Sequence, residues 1–145
     1  MGTSRCSPGK SDRQHNRRCV GGRVHAVREA SAEVFGTIAA GKPPAVQPLS
    51  FLFSGTATGL ATGSIEPNGA RPELTLIKRW HFDAVIAFLA ALSVEAYFTL
   101  PRERLRSCPR CGWLFLDTSR GGKRRWCSMQ TCGNREKVSR HREHI

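Results

Sequence analysis

The chain has 145 residues, a formal net charge of +12 and a hydrophobic fraction of 39%. This length suits one ordinary domain, or one small domain plus a mini-domain, and the modest apolar fraction excludes a generous core. The charge excess favours an acidic partner, nucleic acid first and an anionic membrane surface second.

The charge is concentrated at the C-terminal end. Residues 101–145 carry twelve Lys or Arg and four Asp or Glu. The longest apolar run, Ala84–Leu92, is well short of the ~20 residues that a membrane span needs. The first residues contain no hydrophobic segment typical of a secretory signal, so we expect none. We therefore expect no membrane contact and a cytoplasmic location, where cysteines bind metals more often than they form disulfides.

The N-terminal part of the sequence predicts one polar segment followed by one helix. Met1–Arg23 is basic and aperiodic, and we expect it to be disordered or loosely attached. A helix is predicted over Val24–Ala40, where apolar residues recur on one face. Gly41 and Pro43 would end this helix.

The middle of the chain predicts a second helix after a long loop. Leu49–Phe53 is apolar, and its state is not indicated by the pattern. Ser54–Pro72 is rich in small and turn-forming residues, which predicts a loop, and Glu73–Trp80 predicts a short strand. Phe82–Leu100 carries a broad apolar stripe and predicts a core helix. We expect residues 24–100 to form a small α-rich domain, which a homodimer through the same residues would complete.

Four cysteines near the C-terminus have the spacing of a zinc site. They follow the pattern Cys108-x2-Cys111-x15-Cys127-x4-Cys132. Zinc prefers four tetrahedral ligands, and thiolates suit it. Four thiolates leave no open coordination position, so we predict one structural Zn²⁺. His141, His144 or two disulfides are weaker alternatives to this ligand set.

The segments between the cysteines predict a knuckle, a β-hairpin and a helix, the treble-clef arrangement. Trp113–Asp117 would be the first strand, Gly121 and Gly122 the turn, and residues 124–127 the returning strand. Ser128 would cap a helix over Met129–Glu143. We expect Trp113 and Trp126 to form the small core of this module.

The region around these cysteines resembles the CGNR zinc-finger family, which is named for the tetrapeptide at Cys132–Arg135. The similarity runs from about Leu105 to Arg142 and includes the stretches 108–117 and 124–129. It implies zinc binding by Cys108, Cys111, Cys127 and Cys132.

The resemblance also has implications for the rest of the chain. Residues 24–100 are similar, more loosely, to the α-rich domain that accompanies this finger in bacterial proteins described as stress-induced transcription regulators. It implies a bacterial cytoplasmic DNA-binding regulator. Met1–Arg23 does not resemble the usual N-terminal segment of these proteins, which leaves two alternatives open, an atypical native segment and a truncated or wrongly started reading frame.

Basic residues of the module are candidate nucleic-acid contacts, because Lys and Arg neutralise phosphates and Asn and Arg can read base edges. They lie on the expected hairpin and helix: Arg120, Lys123, Arg124, Arg125, Asn134, Arg135, Lys137, Arg140 and Arg142. Two structural alternatives stay open. Asn134 would only cap the helix, and Arg135 would pair with Asp117.

The resulting hypotheses differ in the partner of the zinc module. The first is a DNA-binding transcriptional regulator, and the second is a module that binds protein or RNA. A thiol redox sensor is the third. We do not expect an enzyme, because no phosphate-binding loop or nucleophile–base pair is recognisable.

Overall fold

The computed structural model describes residues 13–68, 73–76 and 81–143. This part of the chain is mainly helical with two small hairpins, which confirms the predicted fold class. The elements are α1 Arg13–Ala39, α2 Val46–Ala61, β1 Ile65–Asn68, β2 Glu73–Leu76, α3 Phe82–Thr99, β3 Leu105–Ser107, β4 Leu114–Leu116 and α4 Asn134–Glu143.

The first three helices pack on one another around a small aliphatic core. Val27 and Val34 of α1, Leu52 of α2, and Ile86 and Ala90 of α3 are buried in one cluster. The hairpin of β1 and β2 is antiparallel and continues the packing on α3, where Ile65 is buried with Ala87 and Ala91.

Helix α2 approaches α3 so closely that its interface requires glycine. A Cβ at Gly59 would lie 2.5 Å from the Cβ of Ala87, and a Cβ at Gly55 would lie 3.1 Å from that of Ala90. The hydroxyls of the threonines of α2 donate to backbone carbonyls one turn earlier, so they are satisfied inside the helix.

This packing explains why the predicted loop over Ser54–Pro72 is wrong for its first half. Residues 54–61 belong to α2, together with the unassigned Leu49–Phe53, and residues 65–68 form β1. The small residues of α2 were interpreted as turn formers, but here they permit close helix contact. Residues 69–72, and residues 77–80 of the predicted strand, lie outside the described part of the chain, while Glu73–Leu76 is a strand as predicted.

The predicted disorder of Met1–Arg23 is also wrong from Arg13 onward. Helix α1 begins at Arg13 and ends at Ala39, so the predicted helix over Val24–Ala40 is its C-terminal part. The segment before Val24 contains Arg and Gln, which favour helix, and no proline from residue 13 on. Residues 1–12 lie outside the described residues.

Helix α3 matches its prediction in type and extent. Its length and composition alone would also allow it to cross a membrane, and it is the one such helix among the described residues. The sequence prediction used only the uninterrupted apolar run Ala84–Leu92, which is shorter than the whole helix. We interpret α3 as a core helix because its side facing α1 and α2 is buried, at Ala84, Ile86, Ala87, Ala90 and Ala91.

The C-terminal module is attached to the helical core through β3. Leu105, the first residue of β3, is buried in the same cluster as Val27 and Val34. Helix α1 therefore contacts both strands of the second hairpin. The module is held against α1, which fixes where the cysteines stand relative to the helices.

Candidate metal centre

The first cysteine pair lies in the turn of the β3–β4 hairpin. The strands are antiparallel, and Leu105 pairs with Leu116 and Ser107 with Leu114. Between them, the backbone N–H of Cys108 donates to the carbonyl of Trp113 at 2.9 Å. Gly112 leaves the turn with a φ of 71°, which favours glycine. Hairpin and knuckle are thus one unit.

The predicted strand pairing is therefore wrong. Leu114–Leu116 is a strand, as expected, but it pairs with Leu105–Ser107 and not with residues 124–127, which contain no strand. The three residues of β3 are too few to show a periodic pattern. Gly121 and Gly122 do form a turn, with a φ of 61° at Gly122, but the turn belongs to a loop and not to a hairpin.

Asp117 organises the loop that carries the chain to the second cysteine pair. Its side chain is only 1% exposed. One carboxylate oxygen accepts from the N–H of Ser119 at 2.9 Å and from its hydroxyl at 2.6 Å. The other oxygen accepts from the N–H of Arg124 at 2.8 Å. The carboxylate therefore closes the loop from residue 117 to residue 124.

These contacts favour the charged form of Asp117. The hydrogen bond from the Ser119 hydroxyl is the largest influence on its pKa, while burial opposes ionisation. The N–H groups of Arg124 and Ser119 and the nearby charge of Arg104 act with the hydroxyl, and together they lower the pKa to about 2.

Two arginines complete the loop. Arg104 donates to the carbonyl of Ser119 at 2.9 Å. Arg124 donates to the carbonyls of Trp126 and Cys127, and its guanidinium lies 5.3 Å from the ring centre of Phe115. The side chain of Arg124 therefore holds the backbone that presents the third cysteine.

The fourth cysteine stands in a π-helical turn, Met129–Gly133, that precedes α4. Ser128 begins this turn as predicted, because its side chain accepts from the N–H of Thr131 at 3.3 Å. A Cβ at Gly133 would lie 3.2 Å from Cδ1 of Trp126 and 2.4 Å from the sulfur of Met129. The glycine allows the turn to pack against the half-buried Trp126.

The four sulfurs of Cys108, Cys111, Cys127 and Cys132 lie within 4.8 Å of one another. The Sγ of Cys127 is 3.6 Å from the Sγ of both Cys111 and Cys132. A disulfide would need about 2.05 Å. Tetrahedral zinc, with Zn–S bonds of about 2.3 Å, separates its sulfurs by about 3.8 Å, so the spacing fits one zinc ion.

The protonation of the thiols also fits a dication. Burial is the largest influence on the pKa of Cys108 and raises it, but hydrogen bonds from the backbone at Cys127, Arg110 and Cys111 outweigh it and lower the pKa to about 6. Burial and the neighbouring thiols raise the pKa of Cys127 to about 12. One thiolate thus forms readily and opposes the ionisation of the others, and Zn²⁺ removes this opposition.

The predicted nucleic-acid contacts fall into two groups. Arg120 and Lys123 are exposed in the loop after Asp117. Arg124 donates to the backbone carbonyls of Trp126 and Cys127. Arg125 stacks on Trp126, with its guanidinium carbon 4.9 Å from the ring centre. All four loop residues are exposed, and Arg124 and Arg125 also make contacts within the module.

Helix α4 lines a groove of about 490 Å³. Asn134, Arg135 and Arg142 face this groove, together with Arg110 of the knuckle and Gln130 of the π turn. Lys137 and Arg140 are exposed on α4 but do not line it. Neither Arg110 nor Gln130 was predicted, because they become neighbours of α4 only once the cysteines converge.

Both structural alternatives from the sequence are wrong, and so is the expected core position of Trp113. The side chain of Asn134 does not cap α4; its amide donates to the carbonyl of Gln130 at 3.1 Å. Arg135 is exposed and makes no ion pair with Asp117. The carboxylate oxygens of Asp117 accept hydrogen bonds from Ser119 and Arg124 instead. Trp113 is 69% exposed and so is not part of a small core.

Glu136 is a further residue that the sequence analysis missed. Its carboxylate accepts from Arg110 at 3.4 Å and from Arg140 at 3.2 Å. Arg110 also donates to the hydroxyl of Ser139 at 3.1 Å. These contacts join the knuckle to α4. The signal in the sequence was an isolated acid in the strongly basic segment 135–142.

Comparisons with known proteins agree with this geometry. No curated protein and no solved structure matches the chain. A family model described as the CGNR zinc finger matches residues 104–144. The match begins at the residue before β3, so it includes the whole hairpin that carries the first two cysteines. Residues 104–144 are therefore similar to the CGNR zinc finger over the complete metal centre, with four cysteines placed to hold one zinc ion.

Proposed function

We propose that this chain is a zinc-dependent DNA-binding protein that regulates transcription, and that α4 and its groove contact the DNA. The observation that supports the proposal most directly is the groove itself. It combines three guanidinium groups, from Arg110, Arg135 and Arg142, with the amide side chains of Gln130 and Asn134. Guanidinium groups bind phosphates and guanine, and amides pair with adenine.

The acidic residues of the module do not offset this positive surface. Asp117 is buried, and the described hydrogen bonds to its carboxylate all come from Ser119 and Arg124 of its own loop. Glu136 is shared between Arg110 and Arg140. Among the described side chains, Arg135, Lys137 and Arg142 have no acidic partner. These cations are therefore available to bind the phosphates of DNA. Neutralising phosphates releases counterions, so the affinity for DNA should fall steeply as the salt concentration rises.

The zinc site would act as the scaffold of this surface. Arg110 lies between two ligands, and Asn134 and Arg135 follow Cys132 after a single glycine. Binding of one ion thus fixes the knuckle, the π turn and the start of α4 relative to one another. Four thiolates fill the coordination sphere, so we also propose that the protein is not an enzyme that uses this zinc.

The test is DNA binding by the zinc-loaded full chain. A pool of random duplexes is selected for binding over several rounds, and the affinity for the enriched sequence is then compared with that for an unselected duplex. A specific regulator is expected to prefer the enriched sequence by about 10³-fold or more. Equal affinity for both at every salt concentration would contradict specific reading of DNA.

The groove is tested by substitutions on one helix. Arg135→Ala should lower the affinity for the selected sequence and relax its sequence preference, at about 1–3 kcal/mol if the residue contacts a base. Lys137→Ala removes the same charge from α4 outside the groove, so it should lower affinity for all sequences equally. Equal effects of the two variants would contradict a reading role for the groove.

A second candidate is an interaction module for a protein or an RNA. The observation that favours it is the exposure of large apolar side chains on the finger: Trp113 at 69%, Met129 at 51% and Val138 at 50%. Aromatic and Met side chains are enriched at protein interfaces, and Trp also stacks on unpaired bases. Trp113→Ala should then abolish partner binding and leave duplex DNA affinity unchanged. The reverse result would exclude this candidate.

A further inference from the structure

We propose that α2 pairs with the α2 of a second copy of this chain. Its outer face carries Val46, Phe53 and Leu60 at intervals of seven residues, with exposed fractions of 76%, 39% and 44%. Ser50 and Ala57 lie between them and are also exposed. The five positions alternate in steps of four and three, the spacing by which two helices pack side by side. We call these five residues the α2 seam.

The seam is separate from the face by which α2 joins its own fold. Leu52 and Gly59 are buried against α1 and α3, on a different side of the helix. Phe98 of α3 widens the seam, because its ring meets that of Phe53 edge to face with centres 6.0 Å apart. Phe98 is itself 69% exposed. In the described part of the chain, these apolar side chains face solvent.

The charge distribution favours a second copy as the occupant over an acidic partner. Helix α2 contains no Asp, Glu, Lys or Arg, while the chain carries a net charge of +12. Two copies would repel each other at their basic surfaces, and the α2 seam lets them meet without bringing like charges into contact. An acidic partner would find no cation on this helix and would be drawn to the C-terminal module instead.

The shape of the seam suits a two-fold pair. A two-fold interface brings the same patch of each copy together, so the pattern must fit itself. The small side chains at Ser50 and Ala57 allow the backbones to approach, and Val46, Phe53 and Leu60 fill the spaces between them. The helix has 16 residues, so the interface is small, and we expect dissociation in the micromolar range. The dimer would present two zinc fingers.

The experiment is sedimentation velocity on the zinc-loaded full chain, without nucleic acid, over about three decades of concentration around the micromolar range. The wild-type chain should change from 16.0 kDa to twice that mass as its concentration rises. Val46→Glu and Leu60→Glu place like charges in the seam and should weaken dimerisation at least tenfold. Since DNA is absent, the outcome is independent of the proposed DNA binding.

A matched control makes the test specific. Thr58→Glu introduces the same charge at an exposed position of the same helix, outside the seam, and should leave dimerisation unchanged. Val46 lies at the start of α2 and is largely exposed, so we expect Val46→Glu to fold. This variant therefore tests dimerisation through the α2 seam even if Leu60→Glu fails to fold. A wild-type chain that stays monomeric, including one that binds neutral lipid vesicles instead, would overturn the proposal. Equal weakening by Thr58→Glu would overturn it too.

Discussion

Arg110 and Glu136 connect the two halves of the metal module. Nη1 of Arg110 lies 3.4 Å from Oε2 of Glu136, and the other carboxylate oxygen accepts from Arg140 at 3.2 Å. Arg110 belongs to the knuckle and Glu136 to the first turn of α4, which follows the last cysteine. The same carboxylate that orients the knuckle therefore neutralises two cations beside the proposed DNA surface.

Replacing Glu136 should strengthen DNA binding. Glu136→Gln removes one negative charge and releases two guanidinium groups to bind phosphates, so the affinity for unselected duplex should rise. The logarithm of the affinity should also fall more steeply with the logarithm of the salt concentration, by about one to two phosphate contacts. Fluorescence anisotropy over a salt series measures both quantities. An unchanged slope would show that neither arginine reaches the DNA.

The exposed ion pair should contribute little to stability. A double-mutant cycle between Arg110→Ala and Glu136→Gln is expected to give a coupling energy of about 0.2–1 kcal/mol, typical of exposed pairs. A larger value in chemical unfolding would mean that the pair, and not zinc alone, holds the knuckle against α4.

Asp117 should be required for tight zinc binding. Asp117→Ala removes the acceptor for three hydrogen bonds that close the loop before Cys127, so the zinc affinity should fall by about 10–100-fold, as for residues that support metal ligands. Competition with a chromophoric chelator at pH 7 measures it. Thr118→Ala, at the exposed neighbouring position, is the control and should bind zinc like the wild type.

The charge of Asp117 sets the sign of its effect on stability. The pKa of Asp117 falls from 3.8 to about 2 on folding. The stabilisation that its charged form adds to the free energy of unfolding is therefore present above pH 3.8 and is lost as the pH falls through about 2. Asp117→Asn should therefore lower the free energy of unfolding at pH 7. A variant as stable as the wild type at that pH would contradict the loop-closing role.

The sequence predicted most of the metal centre because its signal is local. Four cysteines at fixed spacing, a glycine after the knuckle and a serine cap each have one strong physical interpretation. The roles of Arg110 and Asp117 depend on contacts that the sequence does not reveal. Arg110 donates to Glu136, 26 positions later, and Asp117 accepts from the N–H of Arg124, seven positions later. Strand β3 was missed for a similar reason: three residues of mixed polarity become a strand only when β4 pairs with them.

The error over α2 has a different physical origin. Gly55 and Gly59 lower intrinsic helix propensity, and the surrounding Ser and Thr residues are frequent in turns. In the structure, contact with Ala87 and Ala90 of α3 requires these small residues. Helix propensity thus disfavours glycine at these two positions, whereas close packing against α3 requires a small residue there. Sequence analysis considered only propensity, because the partner helix was still unknown.

Gly59 provides a direct test of that packing. Gly59→Ala should lower the free energy of unfolding by about 1–3 kcal/mol, because the new Cβ would lie 2.5 Å from the Cβ of Ala87 and the helices would have to separate. Alanine is the better helix former by about 1 kcal/mol, so the strain must exceed this gain. Gly36→Ala in α1 is the control. No atom lies within 4 Å of its added Cβ, and it should be neutral or stabilising.

Removing zinc should unfold the C-terminal module and leave the three long helices in place. The residues that hold the module together are few, and the apparent binding free energy of about 10–16 kcal/mol for structural zinc is coupled to folding. Helices α1, α2 and α3 have their own buried cluster. A chelator should therefore abolish amide protection in residues 105–143 and reduce far-UV helical signal only by the share of α4. Loss of protection in α3 as well would show that Leu105 couples the module to the whole core.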